Sequence, residues 1–163
     1  MNNDNIREDD YSIMKEWVEF GDSCDNPYMK FMAYWIVFNM LYESLKNRDN
    51  LKEREAVKRF CEKNEFRFEQ YDPIANGDAA IFYSANAYYL FDGDRSSVDR
   101  KRNKIESGNF IMLMDAVYRV RCNFFHGNKR LGDPIDQKFV TSASTIVRGF
   151  LGTFDYLPST PSD

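Results

Sequence analysis

Histidine is almost missing from this chain: His126 is the only one in 163 residues. That scarcity excludes a histidine-rich metal centre. Cys122, four residues before it, is the only cysteine close by, and no second histidine or nearby cysteine completes a zinc set. Cysteine is scarce too. Cys24, Cys61 and Cys122 are odd in number and far apart, which suits reduced thiols in the cytoplasm better than a disulfide framework. Long apolar runs are absent. The most apolar segment, Phe31 to Tyr42, is interrupted by Asn39 and falls well short of the roughly 20 residues that span a bilayer. The start, Met1 to Asp10, is polar and acidic and lacks the basic residues and apolar stretch of a signal peptide. There is no internal repeat, no strand alternation and no linker to a second domain. These features predict a soluble, single-domain intracellular protein with no membrane partner.

What is present is a core. A hydrophobic fraction of 43% and an aromatic fraction of 16%, with 14 Phe and 10 Tyr, exclude a disordered chain. The net charge of −4 excludes coating nucleic acid with the whole surface, so any such binding needs a local patch.

Apolar spacing predicts helices throughout. Asp9 or Asp10 caps a first helix to about Phe20, with Met14, Trp17 and Val18 on one face. The second runs from Pro27 to about Lys46, and Phe31, Trp35, Phe38, Tyr42 and Leu45 recur at helical intervals. Met32, Tyr34, Ile36, Val37 and Leu41 fill most of the remaining circumference, so this helix is surrounded by others or lies partly in a subunit interface. Asn50 and Glu53 resemble a capping box opening a third helix to about Lys63. Residues 65–72 show no period and read as irregular. Asp78 is placed to cap a short helix from Ala79 to Leu90, and Arg95 to Lys104 reads as a solvated basic connection. A strong helix from Phe110 to about Phe125 carries Leu113, Met114, Val117, Val120 and Phe124 as its stripe. Asp133 and Pro134 open the last helix. The expected fold is all-α, a bundle of five or six helices over residues 9–157, with flexible ends at 1–8 and 158–163.

One stretch stands out from this acidic chain. Ala116 to Gly132 holds four Lys/Arg and no Asp or Glu, and it contains His126. At about 100° per residue, Asp115, Arg119, Asn123 and His126 lie close to one side of a helix. Arg121 falls at the edge of the apolar stripe, about 140° from His126 while the helix stays regular. Convergence of Arg121 and His126 on one phosphate therefore requires unwinding before His126, which Gly127 permits, or a second subunit.

The run Arg121-Cys-Asn-Phe-Phe-His126-Gly127 resembles the Arg-(four to six residues)-His motif of HEPN domains, the higher eukaryotes and prokaryotes nucleotide-binding family. Phe31-Met-Ala-Tyr-Trp-Ile-Val-Phe-Asn-Met-Leu-Tyr42 is similar to an early Trp-Ile-x-Phe-Asn-x-Leu-Tyr helix of some bacterial members. The resemblance implies an all-α bundle that forms a homodimer with both motifs facing one cleft. It also implies metal-independent endoribonuclease activity of the toxin or antiviral kind, with an antitoxin or inhibitor protein as a further partner. Other members are inactive modules that bind a partner protein or nucleotide. The residue after the motif arginine is commonly Asn or Asp, and here it is Cys122.

The chemistry of the residues agrees with that expectation. Metal-free RNA cleavage deprotonates a 2′-OH, stabilises a charged phosphorane, protonates a leaving 5′ oxygen and leaves a 2′,3′-cyclic phosphate. His126 would transfer protons, Arg121 would bind phosphate, and Asn123 would orient substrate or His126. Arg119 meets the looser motif spacing, so either arginine could act. Arg119, Lys129 and Arg130, with Arg100, Lys101 and Arg102, would hold flanking phosphates. One histidine per chain supplies one proton-transfer group, and a two-fold dimer supplies the second. No cofactor is expected. The plainer reading is structural: a histidine beside a helix-ending glycine caps carbonyls, and Arg119 pairs with Asp115 four residues back.

Overall fold

The computed structural model describes residues 8–84, 109–125 and 132–160. Among them are six α-helices, one 3₁₀ turn and no strand, so the chain is all-α. The helices are α1 (Glu8–Ser23), α2 (Pro27–Asp49), α3 (Glu53–Lys63), α4 (Glu65–Tyr71), α5 (Phe110–Phe125) and α6 (Pro134–Leu151). The 3₁₀ turn is Ala80–Tyr83. None of these helices is long and apolar enough to cross a membrane.

Helix α2 runs through the middle of the bundle, packed against α1, α3 and α6, because it is apolar on nearly every side. Phe31, Val37, Phe38 and Tyr42 are fully buried, with Trp35 and Leu41 nearly so. The start of α2 is set locally: Asn26 Oδ1 accepts from the backbone N–H groups of Tyr28 and Met29, and Pro27 occupies the first turn. Helix α6 repeats the device, with Asp133 Oδ1 accepting from Ile135 and Asp136 N–H groups. The abundance of phenylalanine is explained at the centre. Phe150 of α6 stacks on Phe68 at 4.4 Å between ring centroids and meets Phe38 edge-on at 5.9 Å. Such rings bury large areas and add about 0.5–1.5 kcal/mol per pair beyond area.

Three local expectations are corrected. Asn50 and Glu53 form no capping box: Asn50 takes the left-handed conformation that ends α2 (φ 49°), and Lys52 precedes α3 without a side-chain cap. Asparagine tolerates that conformation better than most residues, and Glu53 is drawn instead to partners on other helices. Residues 65–71 are helical rather than irregular. Two turns are too short to show a period, and the segment is ordered by Phe68, buried between Phe150 and Phe110. Asp78 caps no helix; its carboxylate accepts from the Tyr71 hydroxyl, and the segment that follows is the short 3₁₀ turn. Residues 85–108, including the expected continuation to Leu90 and the basic run Arg95 to Lys104, lie outside the described residues, as do 1–7.

A buried arginine ties α1, α2, α6 and the C-terminal segment together. Arg148 is 5% exposed. Its Nε and Nη2 donate to the two Asp22 oxygens at 2.8 and 2.9 Å. Nη1 and Nη2 also donate to the Pro158 and Ser159 carbonyls. Tyr34 completes the set, donating its hydroxyl to Asp22 Oδ1 at 2.7 Å. Gly21 makes the geometry possible, because a Cβ there would collide with the Tyr34 ring. Burial alone would raise the Asp22 carboxyl, but the hydrogen bonds from Arg148 and Tyr34 outweigh it and hold the group below the usual carboxylate value.

Candidate functional site

Helix α5 carries the motif arginine. Leu113, Met114, Ala116, Val117 and Val120 are buried along its inner stripe, and that register sets every outward residue. Phe124 continues the stripe, stacking on Tyr28 of α2 at 5.3 Å between centroids. Phe125, at the end of α5, is 52% exposed. Arg121 leaves the apolar edge at the same end, with its side chain 24% exposed.

The Arg121 guanidinium is held by an acid from another helix. Nη2 lies 3.0 Å from Glu53 Oε1, and Nη1 donates to Oε2 at 3.1 Å. Glu53, the first residue of α3, also accepts from the Tyr42 hydroxyl at 3.0 Å and the Tyr118 hydroxyl at 3.2 Å. The Phe125 ring centroid lies 5.0 Å from the guanidinium carbon and the Tyr118 centroid 6.0 Å, both within cation–π range. Cys122 Sγ is 4.0 Å from Nη1. Arg121 Nε is shielded from solvent and has no hydrogen-bond partner among the described residues. Burial first, then the Glu53 carboxylate, pushes the Tyr42 phenol well above its usual pKa. For Tyr118 burial is again the largest cause, followed by Cys122 and Glu53. Both phenols are therefore neutral donors across the physiological range.

A second charged group lies along the same α3–α5 face. Arg54 donates to both Asp115 oxygens, from Nε at 2.6 Å and Nη2 at 2.7 Å. Arg119 adds a longer bond to Asp115 at 3.3 Å, the four-residue pairing expected from sequence. Two cations share one anion, leaving the cluster with a net positive charge. Burial alone would raise Asp115, yet Arg54 and then Arg119 hold it below the usual carboxylate value. Asn123 lies one turn beyond Arg119 and is half-buried.

Of the residues picked from sequence, Arg119, Arg121 and Asn123 thus lie on the last turns of one helix. His126, Lys129 and Arg130 lie outside the described residues. Sequence reasoning missed Glu53, Tyr42, Tyr118 and Arg54. Glu53 and Arg121 are separated by 68 positions, and no spacing rule reaches that far. One signal was available: a tyrosine inside an apolar stripe carries a hydroxyl that needs a partner when buried, and Tyr42 is such a residue.

A groove of about 580 Å³ opens elsewhere, between the turn at Gly77–Ile81 and α6, lined in part by Asp78, Lys138 and Ser142. No motif residue lines it. Among the described residues, no three His, Cys, Asp or Glu side chains are grouped to hold a metal ion. Comparison with family models, with curated proteins and with solved structures gives no match.

Proposed function

We propose that the chain is a HEPN-like, metal-independent endoribonuclease that acts as a homodimer in the cytoplasm, where its three free cysteines stay reduced. The observation that carries the reading is Arg121. A guanidinium emerges at the end of α5, is only part-exposed, and precedes the single histidine by five residues. Guanidinium chemistry suits a phosphodiester, and an imidazole nearby supplies proton transfer at neutral pH. Arg121 would stabilise the phosphorane, His126 would move the proton, and Asn123 would orient one of them. Arg119 and Arg54, sharing Asp115, give a net positive charge for a flanking phosphate, together with Lys129 and Arg130. A second copy would bring the second His126. An antitoxin or inhibitor protein covering the α5 end is the partner such a nuclease would need.

The test is cleavage of single-stranded RNA in EDTA. The wild-type chain yields 2′,3′-cyclic phosphate ends and sediments at twice 19.3 kDa. His126→Ala retains its circular dichroism and loses about a hundredfold or more of the rate. Cleavage by His126→Ala at the wild-type rate would falsify the assignment.

One observation favours a second reading, a non-catalytic module binding a partner protein or nucleotide. Arg121 is already neutralised by Glu53, as a purely structural arginine would be. Tight RNA or nucleotide binding without cleavage, at any pH tested, would favour that reading.

A further inference from the structure

The Glu53 carboxylate lies at the centre of the motif's surroundings. Its oxygens face four donor groups from two other helices: Tyr42 of α2, and Tyr118 and both terminal nitrogens of Arg121 from α5. Three features of this arrangement go beyond an ordinary ion pair. The two phenols fix the carboxylate independently of Arg121, so the acid is an anchor rather than a follower. The acid engages the two terminal nitrogens of the guanidinium and leaves the Nε side outside the pair. The Phe125 ring, 5.0 Å from the guanidinium carbon, limits rotation of its plane.

A guanidinium has five N–H donors in a rigid fork. Glu53 faces one on each terminal nitrogen; Nε is shielded from solvent and Nη1 also faces Cys122 Sγ, so the donors left for a ligand lie at the terminal nitrogens. A flexible surface arginine would have to be ordered at each encounter with substrate, at a cost in side-chain entropy. An arginine already clamped by a carboxylate presents its remaining terminal donors in a fixed orientation.

We propose that Glu53, locked by Tyr42 and Tyr118, is a positioning residue that holds Arg121 by its terminal nitrogens and fixes the plane in which the remaining terminal N–H donors meet a phosphodiester of RNA. The inference rests on the ribonuclease reading above and assigns the residue that orients its arginine. It has a kinetic signature that simple loss of structure does not share. Without Glu53 the arginine keeps its full positive charge and binds the ground-state phosphate as well or better, but in the wrong orientation for the phosphorane. Removal therefore lowers kcat and leaves KM unchanged or reduced.

The experiment measures single-stranded RNA cleavage in EDTA by the full chain and its Glu53→Ala, Glu53→Gln, Arg121→Ala and His126→Ala variants. Glu53→Ala is expected to lose about ten- to a hundredfold in kcat, the range seen when an outer support of a working group is removed. Added formate, which fits the vacated carboxylate position, restores part of that rate in Glu53→Ala and none in Arg121→Ala. Glu53→Gln keeps the volume but turns an N–H donor toward donors, so it also loses kcat. This variant carries the test should Glu53→Ala not fold. Cleavage by Glu53→Ala or Glu53→Gln at or above the wild-type rate overturns the proposal, as does a rise in KM with kcat unchanged. A wild-type chain that cleaves no RNA overturns the ribonuclease reading and this inference together. An active wild type with an inactive His126→Ala and an unaffected Glu53→Ala overturns this inference alone.

Discussion

The bundle builds the same motif twice, an arginine on a late helix paired with an acid on an earlier one and a tyrosine from α2, and leaves the two in different conditions. Around Arg148 every guanidinium nitrogen is engaged: Asp22 takes Nε and Nη2, the Pro158 and Ser159 carbonyls take Nη1 and Nη2, and the side chain is 6% exposed. Around Arg121 the side chain is 24% exposed, one acid takes the terminal nitrogens, and Nε has no partner among the described residues. A closed network of this kind, with four of the five N–H donors engaged and almost no exposed surface, holds elements together and offers a ligand little. The open one, at the end of α5, retains donors and part of its surface. On the proposed reading, the difference separates an arginine of the fold from an arginine that serves substrate, although both form ion pairs.

The sharpest way to break the comparison is to remove Arg148. Arg148→Ala leaves the Asp22 charge without its partner and two carbonyls unsatisfied, and is expected to cost about 3–5 kcal/mol, read as a lower urea midpoint. A midpoint equal to wild type would mean the two networks do not differ as argued. Acid titration probes the same group. The folded Asp22 carboxyl lies below its ordinary value of 3.8, so its contribution is fully present above that value and disappears as pH falls through the lowered one. Asp22→Asn is therefore expected to be less stable at neutral pH and to lose less stability on acidification below pH 4, measured by urea unfolding across pH. Arg121→Ala should cost about 1 kcal/mol or less, because the pair is part-exposed and the phenols of Tyr42 and Tyr118 still satisfy Glu53. Smallest is Arg54→Ala, within about 0.5 kcal/mol in stability, since its pair with Asp115 is exposed and Arg119 remains. On the nuclease reading the same variant weakens RNA binding at low salt more than at high salt.

Much of this fold was legible in the sequence, for reasons tied to particular residues. Pro27 and the pair Asp133–Pro134 are local signals, and the helix starts they mark are set by Asn26 and Asp133 through hydrogen bonds within three positions. The α5 stripe was legible because four of its five expected residues are buried at regular spacing. Helix α4 was not, because its order comes from one buried ring, Phe68, between two distant helices. Asn50 and Glu53 misled for a related reason: the pattern matched a cap, while tertiary partners claimed Glu53 and a left-handed turn claimed Asn50. At the candidate site, the Arg119–Asp115 pair followed from helical spacing. Glu53, Tyr42 and Arg54 did not, since their role depends on which helices meet.

The central claim is that Arg121 serves the substrate while Arg148 serves the fold. It is tested most directly by measuring RNA cleavage rate and urea midpoint on the same preparations of wild type, Arg121→Ala and Arg148→Ala. The account predicts that Arg121→Ala unfolds within about 1 kcal/mol of wild type and loses about a hundredfold or more in cleavage, while Arg148→Ala loses the midpoint first. An Arg121→Ala chain that cleaves RNA at the wild-type rate would contradict it.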